Sequence, residues 1–261
     1  VIYWIVGFVI LIWRTYQFST HYVIINKQFI KNKKLSGLSY VHITDIHGKI
    51  KFINGQLADK INKVNPDFVL LTGDLANNVD QYPRVFKALG AIKSPIYMVL
   101  GNYEYENFIH NQFKKEIIDF QIVSNEIKKY KHIHLLMNEQ IVYHDGKKKV
   151  QIYGFDQSRY GNEAFHINNK SSMYRIVLAH SPRIIEYMRK HHIGCNHLLV
   201  GHTHGKQINL GKRVKFPYGR YHIGEKWLNK TMLFTINRGL GTSRIPLRIN
   251  SQPEIRVYYI K

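Results

Sequence analysis

Residues 197–207 read HLLVGHTHGKQ, a short apolar run followed by two histidines with one threonine between them and a glycine on either side. Alternation by two places His202 and His204 on one side of an extended segment, with Thr203 pointing away. Gly201 and Gly205 let the backbone come close to whatever the imidazoles bind. Four other apolar runs end in the same manner. LSYVHITD (38–45) leads into Asp45-Ile46-His47, DFVLLTGD (67–74) closes on Gly73-Asp74, IYMVLGN (96–102) on Gly101-Asn102, and MYRIVLAH (173–180) on Ala179-His180. Between these runs, residues 54–65, 81–92, 106–120 and 181–192 read as amphipathic helices. Strand alternating with helix implies an α/β architecture whose sheet is covered by helices. In such sheets ligands bind beyond the carboxyl ends of the strands, where these polar residues gather.

The remaining pattern is richer in strand than a plain doubly wound sheet. Residues 133–145 and 148–155 are β-prone and meet around Gly146 as a hairpin would. The last third, Gln207 to Ile260, reads as strands broken by turn signals at Pro217 to Gly219 and Gly239 to Gly241. The sequence contains no internal repeat, low-complexity segment or long linker.

With 261 residues, 44% hydrophobic and 21% charged, the chain can bury one large core. Its single cysteine, Cys195, excludes an internal disulfide and a thiolate-rich zinc site. Any metal ligands are therefore N and O donors. Lys plus Arg number 38 against 17 acidic residues, a formal charge of +21, which favours anionic partners through the long-range field. The charge is spread along the chain and reads equally as composition bias or as a patch. It invites a nuclease reading, but no basic stripe interleaved with aromatics stands out, so nucleic acid is not the expected partner. No protein partner is predicted either.

Residues 1–13, VIYWIVGFVILIW, carry no charge, and Tyr3, Trp4 and Trp13 are of the kind that sits at headgroup level. The run is shorter than the roughly 20 residues that span a bilayer. Beginning at Val rather than Met, it reads as the remainder of a longer segment. A buried strand or helix and a signal-peptide core are the competing readings. Arg14, then Lys27, Lys31, Lys33 and Lys34, follow it as cations flank an interface, which favours a membrane anchor. The expected division is an apolar membrane segment and basic linker over residues 1–34 and a catalytic domain over 35–261. The side of the membrane does not follow from a chain this basic.

Singly, most of the strand-end motifs are weak. A Gly-Asp or Gly-Asn after a strand is more often a turn, and a lone His such as His180 is more often solvated or satisfied. Together, Asp45, His47, Asp74, Asn102, His180, His202 and His204 form the N/O donor set expected for one or two borderline divalent ions. Their order resembles the calcineurin-like metallophosphoesterase family, whose signature runs Asp-x-His, Gly-Asp, Gly-Asn-His, a later His and Gly-His-x-His. The resemblance covers residues 38 to 260. It is finer toward a membrane-associated bacterial branch, some members of which act on lipid-linked nucleotide sugars, on the strength of 45–48 (DIHG), 178–182 (LAHSP), 201–207 (GHTHGKQ) and 238–243 (RGLGTS).

Carried over residue by residue, the resemblance implies that Asp45, His47 and His204 hold one metal and Asn102, His180 and His202 the other, with Asp74 bridging. It implies a sandwich of two mixed β-sheets flanked by helices. Four positive charges on two ions against two carboxylates leave a site that attracts phosphate. Ions roughly 3.5–4 Å apart can grip both oxygens of an in-line displacement and bring bound water toward a pKa of about 7, so that a metal-bridging hydroxide is the nucleophile. Imidazole and carboxylate suit Mn²⁺, Fe or Zn²⁺. The expected substrate is a phosphoester or pyrophosphate, amphiphilic and met at a membrane surface. Arg238 and Arg248 are candidates for phosphate contact because guanidinium matches phosphate geometry. One departure matters: the family's His after Gly-Asn is Tyr103 here, followed by Glu104. With a reference pKa near 10, Tyr is a poor acid at neutral pH. A metal-binding scaffold with weakened turnover is therefore the alternative.

Overall fold

The computed structural model of the protein describes residues 2–109, 114–166, 173–210 and 220–261. The turn expected at Pro217 to Gly219 lies outside these residues. Two six-stranded sheets form the frame. The first runs in the order β1 (Ile24–Ile30), β16 (Glu254–Ile260), β2 (Ser39–Ile43), β5 (Phe68–Thr72), β6 (Ile96–Val99) and β9 (Ile133–Leu135). The second runs β10 (Glu139–His144), β11 (Lys149–Gly154), β12 (Tyr174–Leu178), β13 (His197–Val200), β15 (Leu233–Ile236) and β14 (Gly224–Trp227). Both are mixed: β2, β5, β6 and β9 are parallel, as are β11, β12, β13 and β15, whereas β16 against β2 and β10 against β11 are antiparallel. Two short ribbons complete the strands, β3 (Lys51–Phe52) with β4 (Gly55–Gln56) and β7 (Glu106–Ile109) with β8 (Lys114–Ile117).

Period-two alternation sorts the side chains into layers. Tyr40, Phe68, Leu70 and Val99 pack toward Val150, Ile152, Ile176 and Leu178, forming the core between the sheets. The alternate residues Val41, Val69, Leu71 and Met98 face helices α2 (Leu57–Val64), α3 (Tyr82–Gly90) and α4 (Phe120–Lys128). On the far side Val177, Leu198 and Phe234 pack on Ile184, Ile185 and Met188 of α5 (Ile184–Lys190). Strands buried on both faces explain why the motifs follow continuous apolar runs rather than alternating ones. Because β2, β5, β6, β12 and β13 share one direction, their carboxyl ends meet at one pole of the sandwich.

Three expectations need correction. Residues 106–120 were expected to be helical. The described part is the β7–β8 ribbon, with Glu106 opposite Ile117 and Ile118 N–H bonded to Tyr105 O (3.0 Å). The helix begins only at Phe120, after Asp119, whose carboxylate caps Gln121 N–H (2.9 Å). Apolar residues spaced for a helix over 106–117 lack a start signal of that kind. Second, residues 24–30 are no linker: β1 pairs with β16 over its whole length and belongs to the first sheet. Third, Lys33 and Lys34 lie beyond the end of β1. The length of β1, about 20 Å of strand, and the last turns of α1 lie between them and the apolar run they were expected to flank.

The apolar run itself forms helix α1 (Ile2–His21). It is not core, since Tyr3 is 91% and Trp4 85% exposed. No helix among the described residues is long and apolar enough to cross a membrane. The uncharged part of α1, Ile2 to Trp13, covers about 18 Å at 1.5 Å per residue. Among the described residues, the last turns of α1 touch the sandwich, through Tyr16 Oη to Pro246 O (3.1 Å), Arg248 N–H to Thr20 Oγ1 (3.0 Å) and Ile53 N–H to His21 O (2.9 Å).

Deletion of residues 1–14 should therefore leave the domain cooperatively folded, with a melting temperature within a few degrees of the full chain. Deletion of 1–34, which strips β1, should destabilise it by several kcal/mol through lost ladder bonds. Thermal melts of both truncations test this, and equal melting temperatures would refute the role given to β1.

Candidate metal centre

Seven polar side chains converge where the strands end. Asp45 and His47 follow β2, Asp74 follows β5, Asn102 follows β6, His180 follows β12, and His202 and His204 follow β13. Their turns are tight enough that five of them, Asp45, His47, Asp74, His202 and His204, hold φ between 45° and 68°. That left-handed region costs L-residues free energy and persists only where surroundings enforce it. Enforcement comes from glycines that admit close approach: a Cβ on Gly101 would overlap the Asp74 carboxylate, and one on Gly201 would overlap Thr44 and Asp45.

The donors form two groups that share Asp74. Asp45, His47, Asp74 and His204 make one; Asp74, His180 and His202 make the other, with ligand atoms within 4.8 Å of one another in each. His47 Nε2 lies 3.1 Å from His204 Nε2 and 3.6 Å from Asp74 Oδ2, and His204 Nε2 lies 3.3 Å from Asp45 Oδ1. On the other side His180 Nε2 is 2.9 Å from His202 Nδ1 and 3.3 Å from Asp74 Oδ2. Outer bonds set the tautomers. His47 Nδ1 donates to Asn77 Oδ1 (2.8 Å) and His180 Nδ1 to Thr72 O (2.7 Å), which turns each Nε2 inward. Lone pairs and carboxylate oxygens aimed at common points suit divalent ions. Asn102 fits too: it is buried and its Oδ1 has no hydrogen-bond partner among the described residues.

Electrostatics divide the donors. Burial lowers His47 to about 4 and, helped by His180, lowers His202 to about 3, so both imidazoles are neutral donors at pH 7. Burial pushes Asp45 up to about 7, with the neighbouring His180 opposing and Asp74 adding to the shift. For Asp74 burial works the other way from its partners: His180, bonded to it, and His47 outweigh desolvation and hold the carboxyl well below its usual range. His180 is correspondingly raised by Asp74 against the effect of burial.

The other expected residues are placed unequally. The Tyr103 ring meets His47 edge-on at 4.6 Å, and its hydroxyl is 2.6 Å from Ser243 Oγ. Burial raises it further above 10, against its bond to Ser243. Arg238 is partly exposed, with Nε 3.8 Å from Glu254. Arg248 is not placed for substrate contact. It is fully buried, and its guanidinium donates to the carbonyls of Gly241 (2.9 Å), Arg238 (2.9 Å), Ser251 (2.9 Å) and His204 (3.4 Å).

Glu104 was missed by the sequence reading. Buried, it accepts from the backbone N–H of Asp74 (2.9 Å), Leu75 (2.7 Å) and Gly101 (2.6 Å), tying two ligand-bearing turns together. Burial and Asp74 raise it to about 7 despite those bonds. Gln207 closes the 201–207 motif. Its amide spans Ser243 O (3.2 Å), Ser243 N–H (2.9 Å) and Ile245 O (2.6 Å), pinning the 243–245 loop over the site.

Two sheets flanked by helices, with paired clusters of imidazole and carboxylate at the strand ends, define a metallohydrolase. The family model for calcineurin-like phosphoesterases matches residues 38–206, and the chain belongs to that family. It is a metal-dependent phosphoester hydrolase. Among its relatives, the Bacillus subtilis protein YpbG is 29% identical over 233 residues, covering 87% of this chain and 82% of that one. The uncharacterized metallophosphoesterase YkuE of the same organism is 26% identical over 239 residues, covering 86% and 79%. Phosphodiesterase YaeI of Escherichia coli is 26% identical over 200 residues, covering 73% and 68%.

Asp74→Asn should lower bound metal well below two equivalents and reduce hydrolysis by at least 10²-fold, because it removes the charge both groups share. Asn102→Ala should keep the Asp45 group loaded and leave about one equivalent. Elemental analysis of the purified variants reads both outcomes, and two full equivalents in Asp74→Asn would refute the shared role.

Proposed function

We propose that the protein hydrolyses a phosphoester or pyrophosphate bond of an amphiphilic substrate. One divalent ion would be held by Asp45, His47 and His204, a second by Asn102, His180 and His202, with Asp74 between them. The observation that carries this reading is Asp74 Oδ2, which faces His47 Nε2 at 3.6 Å and His180 Nε2 at 3.3 Å, so that one carboxylate serves both groups. Mn²⁺, Fe or Zn²⁺ suits these donors and would supply charge to bind phosphate and acidify water.

The chain's own residues do the rest. Asn77 and Thr72 orient His47 and His180, and Glu104 holds the turns of Asp74 and Asn102 at a fixed separation. With Arg248 committed to carbonyls, contact with substrate phosphate falls to Arg238 and to Arg244. The latter is exposed beside Tyr103 on the pinned loop, with φ of 62°. Tyr103 is held by Ser243 and is a weak acid, so the site favours leaving groups that carry negative charge themselves. Pyrophosphates and aryl phosphates meet that condition; alkyl phosphodiesters do not. Phosphodiester cleavage is the activity in the name of YaeI, and diesters with an aryl leaving group meet the same condition.

An amphiphilic substrate is supported by where α1 docks. A small cleft beside His47 is walled by Thr20 and His21 of α1 on one side and by Gly241, Thr242 and Pro246 on the other. The apolar helix therefore emerges at the pole that holds the metal centre. A surface-lying apolar element there would keep the protein at a bilayer with its site near the headgroups.

Two experiments test this. The full chain should float with phospholipid vesicles, and the chain lacking residues 1–14 should stay behind while still hydrolysing a soluble aryl phosphodiester. Equal flotation of both would remove α1 from membrane attachment. Tyr103→His should raise hydrolysis of alkyl esters tenfold or more, within the roughly 10²–10⁴ that a placed acid contributes, and change aryl esters little. Equal gains on both, or none, would show that proton donation to the leaving group is not what this position limits.

A further inference from the structure

The opposite pole of the sandwich carries a second polar concavity. A cleft of about 680 Å³ is lined by Lys33, Lys34, Lys147, Lys148 and Lys149. Lys33 and Lys34 lie between β1 and β2, Lys147 to Lys149 lead into β11, and the remaining wall comes from the starts of β12 and β13 at Tyr174 and Asn196. These are the amino ends of strands whose carboxyl ends hold the metal ligands. The cleft is thus a strand length, about 17 Å at roughly 3.3 Å per residue, from the metal centre.

Chance clustering in a basic chain is the competing explanation, and the local charge balance argues against it. Some exposed cations elsewhere sit against a carboxylate, as Lys129 does against Glu126 (2.6 Å) and Arg220 against Glu186 (2.8 Å). Among the described residues, no carboxylate lines this cleft. Asp145 approaches Lys148 at 3.7 Å, but its other oxygen accepts the backbone N–H groups of Lys147 (2.9 Å) and Lys148 (2.7 Å). Five lysines around one concavity with one neighbouring acid raise the local positive potential, and low-dielectric walls focus that field. An anion with several charges relieves it best.

The geometry points to a binding site for a soluble, multiply phosphorylated anion. Its size is that of ordinary small-ligand sites, about 300–1,000 Å³. Lysines would take the phosphates as point charges, and Asn32 and Asn196 supply neutral polar groups at the wall. Leu35, Met173 and the half-buried Tyr174 give one apolar side on which a nucleobase could lie. A lipid headgroup is the less suitable source, because α1 emerges at the other pole and a bilayer holding it would not reach this cleft.

The test is calorimetric titration of the full chain with inorganic tripolyphosphate and, separately, with ATP. Three proteins are compared: the parent chain, the triple substitution Lys147→Gln, Lys148→Gln and Lys149→Gln, and Asp74→Asn. Saturable binding below 1 mM is expected. It should weaken at least tenfold in the triple lysine variant and persist in Asp74→Asn, which separates the cleft from the metal centre. The lysines are on the surface, so melting temperature and aryl phosphodiester hydrolysis should be unchanged in that variant. ATP binding tighter than tripolyphosphate would assign a nucleotide, and equal affinity would assign the phosphate chain alone. Absence of saturable binding at 1 mM, or binding that survives loss of the lysines and disappears in Asp74→Asn, would overturn the assignment.

Discussion

Everything at the metal-centre pole depends on how closely the turns after β5 and β6 approach each other. Glu104 sets that approach by gathering the N–H groups of Asp74, Leu75 and Gly101 on one carboxylate, while Tyr103 N–H bonds Asp74 Oδ1 at 2.9 Å. A buried carboxylate is tolerated because three donors solvate it in place of water. Gly73 and Gly101 are then obligatory, since a side chain on either would enter the other turn. The consequence is that Asp74 is placed by backbone geometry before any ligand arrives, and its oxygen faces both imidazole groups without a rotamer search.

Such placement has a cost in the fold. Five ligand-bearing residues sit in the left-handed region, each at an expense of order 1–3 kcal/mol. Three stacked layers of apolar packing offset it: the core between the sheets and the two outer faces under the helices. Strain is thereby concentrated where the backbone turns off the strand ends, and the strands themselves stay regular. Functional side chains stand on rigid supports although they belong to loops.

How much of this was legible in the sequence depended on the range of the interaction. The five strands and the ligand order were readable because each lies in one local run, DFVLLTGD or MYRIVLAH, whose apolar content reports burial on both faces. Helices α2, α3 and α5 were readable for the same reason. The β7–β8 ribbon was not, because residues 106–117 have helix-like spacing and their pairing is decided by partners across the ribbon. Arg248 looked like a phosphate ligand because its type suits phosphate. Its actual partners are four backbone carbonyls, among them that of His204, which folding brings to it. Roles for Glu104 and Gln207 were hidden for the same cause: both act through backbone groups, which no residue type announces.

Arg248 also joins the two features of the metal-centre pole that look separate, the apolar helix and the ligand loop. Its backbone N–H bonds Thr20 Oγ1 in the last turn of α1, while its guanidinium reaches His204 O, and Ser251 Oγ donates to the same carbonyl at 2.7 Å. The carbonyl that follows a ligand imidazole is thus held by a residue that is itself held by α1. Burial lowers the Arg248 guanidinium to about 10, which still leaves it charged at neutral pH, and the nearby Asp45 and Glu254 favour that charge. A cation fixed behind the Asp45 group adds to the positive field that a phosphate meets. The end of α1 is therefore part of the metal-centre scaffold, whereas the exposed turns before Tyr16 make no such link among the described contacts. Whatever binds those outer turns can be gained or lost without disturbing the ligands, because the mechanical connection begins only at the last turns of the helix.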